Sequence, residues 1–245
     1  MVMPVRNIVM GCSDPRRLGS FYAELLGWRI VREDWLLVAK DRESLPRLAF
    51  DEESPYRAPR WGDPDRPAQL HVDLAVQDIE TAERHALRLG ASRLEDHDQR
   101  RTYEDPDGHP FCLYRDDEAE GSSGPISHGI GRVVFDCFSP RALAVFYEKL
   151  LELRRLEDAP DWVVSGFCDR REPALAFQHS QAIPPRWPDP SFPQQMHLDF
   201  DVTEDASVES LALDLGAIRL PDMGGSCPVY ADPSAHPFCL CSPNQ

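Results

Sequence analysis

Apolar and polar positions alternate strictly through Gln69-Leu70-His71-Val72-Asp73-Leu74-Ala75-Val76, the pattern of a strand whose two faces differ. His71 and Asp73 share one face, while Val72, Leu74 and Val76 share the other. The stretch returns 126 positions later as Gln195-Met196-His197-Leu198-Asp199-Phe200-Asp201-Val202. The chain is therefore a repeat, and each half owns a His-x-Asp face.

The period changes from strand-like to helical after Ser13-Asp14-Pro15, where Pro15 suits the first helical position. Leu18, Phe21, Tyr22, Leu25 and Leu26 then recur at helical spacing up to Gly27, so a helix over 15–26 is predicted between a strand at 7–12 and strands at 28–33, 35–40 and 47–51. The order repeats with a strand at 69–76, a helix over 78–89 closed by Gly90, and strands near 92–95, 100–104 and 110–115. Residues 53–68, rich in Pro and Arg, read as the loop between these two β-α-β-β-β units. Phe21, Phe146, Leu25 and Leu150 are expected to be buried where each half's first helix meets its sheet.

The second half matches the first at an offset of 125 through Cys137-Phe138-Ser139-Pro140 and Val145-Phe146-Tyr147-Glu148-Lys149-Leu150-Leu151. Trp162 answers Trp35, Pro185-Arg186-Trp187 answers Pro59-Arg60-Trp61, and His236-Pro237-Phe238-Cys239-Leu240 answers His109-Pro110-Phe111-Cys112-Leu113. The acidic, Gly-Ser-rich stretch from Asp116 to Pro125 reads as a flexible connection. Residues 1–116 are thus expected to form a first module, 117–126 a linker and 127–245 a second module.

Composition narrows the function. The formal charge of −16 disfavours nucleic acid, which needs a basic footprint. No apolar run approaches the ~18 residues that span a bilayer, and the N-terminus, with Arg6 early, carries no sustained apolar segment of a signal peptide. Seven cysteines without a Cys-x-x-Cys pair read as free thiols in a reducing cytoplasm.

Phe21-Tyr22-Ala23-Glu24-Leu25-Leu26-Gly27-Trp28, the His71 strand, Leu89-Gly90-Ala91 and Asp105-Pro106-Asp107-Gly108-His109-Pro110-Phe111 together resemble the vicinal-oxygen-chelate superfamily. That group holds glyoxalase I, bleomycin-resistance proteins, fosfomycin-resistance enzymes and extradiol dioxygenases, and its glyoxalase-like branch fits best. The resemblance covers both halves. It implies an α+β fold in which tandem βαβββ repeats form two half-barrel modules, each with a cleft.

The resemblance also implies where metal ligands would lie: Asn7, Ala49, His71 and Cys112 in the first half, and Arg132, Ala176, His197 and Cys239 in the second. Only the histidines keep the usual ligand type, and three protein ligands are the normal minimum for a catalytic site. Exchange of units between halves gives Asn7, His197, Cys239 and Arg132, His71, Cys112, which is no more complete. No cofactor is therefore expected, a divalent metal being disfavoured. Alternation points Arg132 the same way as Val134 and Asp136, and the second-half cleft is expected to hold Arg132 opposite His197 and Asp199 in place of a metal. Asp199 or Asp136 should accept its hydrogen bonds.

Candidate catalytic groups are His71, Asp73, His197 and Asp199, each Asp orienting its imidazole and keeping it cationic or simply solvating it. Candidate ligand-binding groups are Asn7, Cys112, Tyr114, Arg132, Asp136, Cys239, Trp61 and Trp187, since small-molecule pockets are mostly apolar and aromatic with a few polar groups. His109 and His236 read as surface turn residues. The expected partner is a small organic molecule, a metabolite or antibiotic, bound or sequestered without metal by a monomer or homodimer. The alternative is an enzyme of isomerase or lyase type working through a His-Asp face, or a metal-dependent glyoxalase or dioxygenase.

Overall fold

The computed structural model describes residues 3–97, 100–116, 129–167, 173–189, 191–192, 194–202, 205–221, 225 and 227–242. The expected linker, 117–126, lies outside them. Four βαβββ units follow one another. The first is β1 (Val5–Cys12), α1 (Pro15–Leu26), β2 (Arg29–Arg32), β3 (Leu37–Ala39) and β4 (Arg47–Glu52); the second is β5 (Leu70–Val76), α2 (Ile79–Leu89), β6 (Ser92–His97), β7 (Arg100–Glu104) and β8 (Pro110–Arg115). The third is β9 (Ile130–Cys137), α3 (Pro140–Leu151), β10 (Arg154–Asp158), β11 (Trp162–Gly166) and β12 (Ala174–His179). The fourth is β13 (Met196–Asp201), α4 (Asp205–Asp214), β14 (Ile218–Arg219), β15 (Val229–Ala231) and β16 (Pro237–Cys241).

The caps are the ones the residues call for. Asp14 accepts from the backbone N–H groups of Arg16 and Arg17 at the start of α1, and Gly27 closes the helix with φ 65°. Asp78 and Gly90 do the same for α2. β3 is shorter than expected because Trp35 and Leu36 belong to the preceding turn.

The strands assemble into two mixed eight-stranded sheets, in the orders β14-β15-β16-β13-β1-β4-β3-β2 and β10-β11-β12-β9-β5-β8-β7-β6, here sheets A and B. Each sheet joins one unit from each half. Sheet A pairs the first unit with the fourth through antiparallel β1 and β13, with Asn7 opposite Asp199 and Val9 opposite His197. Sheet B pairs the second with the third through β5 and β9, with Asp73 opposite Arg132 and His71 opposite Val134. Of the two pairings open from sequence, the units adopt the exchanged one.

Helices tie the units of each half together from the other side. Phe21 of α1 meets Phe111 of β8 with ring centres 6.1 Å apart, and Phe146 of α3 meets Phe238 of β16 at 6.0 Å. Phe21, Leu25, Phe146 and Leu150 are all buried in one apolar cluster that spans both sheets, as expected. The even positions of β5, Val72, Leu74 and Val76, belong to that cluster, whereas His71 and Asp73 face the concave side. The alternation read from sequence therefore assigns the faces correctly.

Two expectations fail here. His109 and His236 are fully buried instead of lying on the surface, because Asp105 and Asp232 fold back within each turn to accept from the ring at 3.2 Å. Cys227 and Cys241 form a disulfide, so the cysteines are not all free thiols, and the argument from them for a reducing compartment lapses. Among the described residues no helix is long and apolar enough to cross a membrane.

Candidate functional site

Exchange of units moves Arg132 to the other sheet from the one expected. β9 runs beside β5, so the Arg132 guanidinium lies 3.9 Å from Asp73 Oδ2 and donates to Glu157 Oε1 at 3.3 Å, with its carbon 4.3 Å from the Tyr114 ring centre. It does not face His197 and Asp199. Asp199 instead accepts from Asn7 Nδ2 at 2.8 Å, while Asn7 Oδ1 accepts from Arg47 Nε at 2.9 Å.

Each concave face gathers a His, an Asp and a Cys. In sheet B these are His71, Asp73 and Cys112, and in sheet A His197, Asp199 and Cys239; within each set the ligand-type atoms lie within 4.8 Å of one another. The Cys comes from the strand beside the His-x-Asp strand, since β8 runs parallel to β5 with Cys112 opposite Asp73, and β16 parallel to β13 with Cys239 opposite Asp199.

Burial sets the chemistry of the sheet B cluster. It pulls His71 down to about 3, with the charge of Arg100 adding to the effect, so the imidazole is neutral at neutral pH. Asp73 is pushed up to about 6 by burial against the opposing pull of Arg100 and Arg132. The 3.6 Å approach of His71 Nε2 to Asp73 Oδ1 is therefore a contact and not an ion pair, and the expectation that Asp73 keeps the ring cationic fails for this cleft. Both ring nitrogens of His71 and both oxygens of Asp73 are buried without a hydrogen-bond partner. Such groups cost free energy unless something satisfies them.

Beside this cluster opens a cavity of about 510 Å³, lined by Trp61, Asp63, Pro64, Pro67, Asp136 and Gln178 among others. That volume suits a small organic ligand. The Trp61 ring, part of the cavity wall, packs edge-on against His71, 5.4 Å between centres. Asp136 Oδ1 accepts from Gln178 Nε2 at 3.3 Å, its Oδ2 lies 3.9 Å from His71 Nδ1, and burial pushes its carboxyl up to about 7. Trp187, the counterpart of Trp61, is half-buried and makes no ring contact with His197 among the described residues.

In sheet A, Asp199 is held below its ordinary value: burial raises it, but the hydrogen bond and charge of His197, together with Asn7 and Cys239, outweigh that. Both thiols are pushed well above the ordinary range, chiefly by burial, and the neighbouring carboxylate adds to it. Neither Cys112 nor Cys239 is a poised nucleophile.

A divalent ion, as the fold implies, finds different sites in the two clefts. His197, Asp199 and Cys239 offer one nitrogen, one ionised carboxylate and one sulfur, with the buried His197 Nδ1 lacking any partner, a set that fits a borderline ion such as zinc. The sheet B set does not fit, because Arg132 stands at the corresponding corner and Arg100 acts on the same three residues. The reasoning that Arg132 excludes a metal applies to the His71 cleft, not to the His197 cleft.

Sequence reading missed Arg100 and Gln178. The signal was there: alternation along 100–104 puts Arg100 and Thr102 on one face, and Thr102 Oγ1 indeed meets Cys112 Sγ at 3.4 Å. Arg101 and Tyr103 point the other way, to carboxylates of α2 and to the core.

Residues 7–114 and 132–241 each match the glyoxalase-like domain family, so the chain belongs to that family twice over. Among solved structures it is similar to a glutamate-to-glutamine variant of glyoxalase I from Zea mays, with a TM-score of 0.70 at 16% identity over 98% of this chain and 94% of that one. A putative dioxygenase from Bacillus subtilis gives 0.68 at 15% identity, over 98% and 85%. At such identities the likeness is one of fold. No curated protein matches the sequence.

Proposed function

We propose that the protein binds a small organic molecule in the sheet B cavity, without a metal there, and sequesters it. The observation that carries this reading is the cavity of about 510 Å³ lined by Trp61, Pro64, Pro67, Asp136 and Gln178, apolar wall with a few polar groups. A ligand there would cover apolar wall and meet the polar side chains of Asp136 and Gln178. In sheet A, His197, Asp199 and Cys239 would hold a divalent ion, which when bound supplies Lewis-acid polarisation of an oxygen.

A cavity-filling variant tests the binding reading. Ala182→Trp, on the half-buried rim of the cavity, should abolish small-molecule adducts seen by native mass spectrometry of protein taken from cells, without lowering the melting temperature. Adducts unchanged in that variant would remove the cavity as the site.

One observation favours a second reading, that of an acid–base enzyme. Asp136 lines the cavity with a carboxyl pushed up to about 7, the range in which a group can both take and give a proton at neutral pH. On this reading Asp136→Asn abolishes turnover and spares affinity. A sequestering protein returns its ligand chemically intact.

A further inference from the structure

We infer that the sheet B cleft takes its ligand by a carboxylate, held on the guanidinium of Arg100. This deepens the proposed binding function and rests on the cavity being the ligand site.

Three of the arginines on or beside β7 and β9 show the contrast. Arg101 reaches Glu80, Glu83 and Asp96 at 2.9, 2.6 and 3.0 Å. Arg132 has Glu157 and Asp73. Arg100 has no carboxylate within 4.0 Å among the described residues, and its one hydrogen bond is a long one, 3.5 Å to the neutral amide oxygen of Gln178. It is half-buried, on the concave face, where a guanidinium left with weak partners is costly.

Its position lies at the edge of the cavity. Arg100 is not itself a wall residue of the cavity; its guanidinium stands directly behind the wall residue Gln178, at 3.5 Å from its amide oxygen, and its charge is felt by His71, Asp73, Cys112 and Asp136. Gln178 links Arg100 to the cavity, accepting from the guanidinium and donating to Asp136, and itself forms part of the wall. A planar carboxylate can take two parallel N–H bonds from a guanidinium, which a neutral group cannot match in strength.

The rest of the cavity describes the rest of the ligand. Trp61, Pro64 and Pro67 supply apolar wall for a flat or short apolar body. The two acidic residues of the lining are occupied, Asp63 lying 3.9 Å from Arg60 and Asp136 accepting from Gln178, so the cavity's own carboxylates do not take Arg100. The ligand class is a small organic acid with an apolar body.

Titration of the full chain with benzoate and with benzamide, which share a shape and differ in charge, tests this, read by calorimetry and by the NMR shift of the Trp61 indole N–H. Benzoate should bind about 10-fold tighter than benzamide or better. Arg100→Gln should erase the preference, and Arg100→Lys, which keeps the charge and guards against a folding artefact, should retain part of it. Equal binding of the two compounds, abolished by Ala182→Trp, would overturn the carboxylate and leave the cavity standing. A preference for benzoate that survives Arg100→Gln would likewise overturn the role of Arg100. Binding of neither compound, or binding indifferent to Ala182→Trp, would overturn the cavity itself.

Discussion

The two clefts are built from equivalent strands around the same His-Asp-Cys floor and yet differ in the side chains that surround it. Asn7 of β1 and Arg132 of β9 stand opposite Asp199 and Asp73 in the same register, and the pair Arg100 and Tyr114 of sheet B corresponds to the disulfide Cys227–Cys241 of sheet A. At these positions sheet A has a neutral amide and a covalent staple and sheet B has two guanidiniums, while sheet A keeps a guanidinium one step back, Arg47 donating to Asn7. Likewise Gly11 stands where sheet B has Asp136, and a Cβ there would lie 3.0 Å from the side chain of Glu53, so this carboxylate packs where sheet B opens its cavity. Duplication kept the His-x-Asp floor and the buried Cys twice. Divergence at four or so surrounding positions changed the charge around each copy, and the proposed cation site in one and anion site in the other rest on that change.

The first way to break that comparison is to ask whether the halves differ in their scaffolds as well as in their clefts. Phe21 and Phe146 are equally buried, each edge-on to the next Tyr and to a Phe of its half's last strand. Phe21→Ala and Phe146→Ala should each cost about 3 kcal/mol or more, by similar amounts, in urea denaturation. A cost confined to one half would mean that the cores have diverged too.

The second concerns the cation side. With zinc added to metal-stripped protein, about one equivalent should bind, and His197→Ala should weaken it by more than about 100-fold, since loss even of residues behind the ligands costs 10–100-fold. His71→Ala should leave it unchanged. Equal loss in both variants, or retention in His197→Ala, would erase the assignment of cation chemistry to sheet A.

How far these differences were legible in the sequence follows from what each signal depends on. Period and caps depend on near neighbours, so the helices at 15–26 and 79–89 and the faces of His71 and Val72 could be read directly. Choice of strand partner could not. β5 and β13 both offer an apolar alternating edge to β1, and the same pattern that specifies register is silent on which copy pairs. Arg132 was therefore placed on the right face of its strand and in the wrong cleft. Arg100 was hidden by Arg101 and Thr102 beside it, a polar run that reads as solvated until Tyr103 is seen buried and Cys112 opposite Thr102. His109 and His236 were misjudged because a turn is ordinarily exposed.

Those two histidines give a third test, of likeness. Burial pulls the pKa of each down, but the charge and hydrogen bond of Asp105 or Asp232 outweigh it and the net shift is upward. A base whose pKa is raised on folding stabilises fully below its unfolded value of about 6.5 and loses that contribution as pH rises through the folded one. Asp136, pushed up to about 7 and half titrated there, and the buried thiols, whose unfolded midpoint is about 8.5, act in the same sense, so the histidines are read from the difference between each variant and the parent. Between pH 7 and 8.5 the urea midpoint should therefore fall, and His109→Gln and His236→Gln should each flatten the slope. If only one of them does so, the two turns are not equivalent, and the further tie of His236 Nε2 to the Asp136 carbonyl at 3.1 Å is where they differ.

The smallest expected effect lies at the ends of the two first helices. α1 closes on Gly27 with φ 65°, and α3 closes on Glu152 with φ 56° in the same left-handed region. An L side chain there crowds the following carbonyl at a cost of about 1–2 kcal/mol, while glycine escapes the crowding and loses more chain entropy on folding, roughly 0.5–1 kcal/mol. The difference predicts that Glu152→Gly stabilises the protein by about 0.5–1 kcal/mol and that Gly27→Glu destabilises it by a similar amount. Each helix keeps its backbone cap bond either way, since Gly27 donates to the carbonyls of Ala23 and Glu24, and Glu152 to that of Glu148. Differential scanning calorimetry of the two variants beside the parent is sufficient. A melting temperature lowered by Glu152→Gly would show that the glutamate side chain contributes more than its backbone conformation costs, and that the second half has made its own use of a position the first half leaves to glycine.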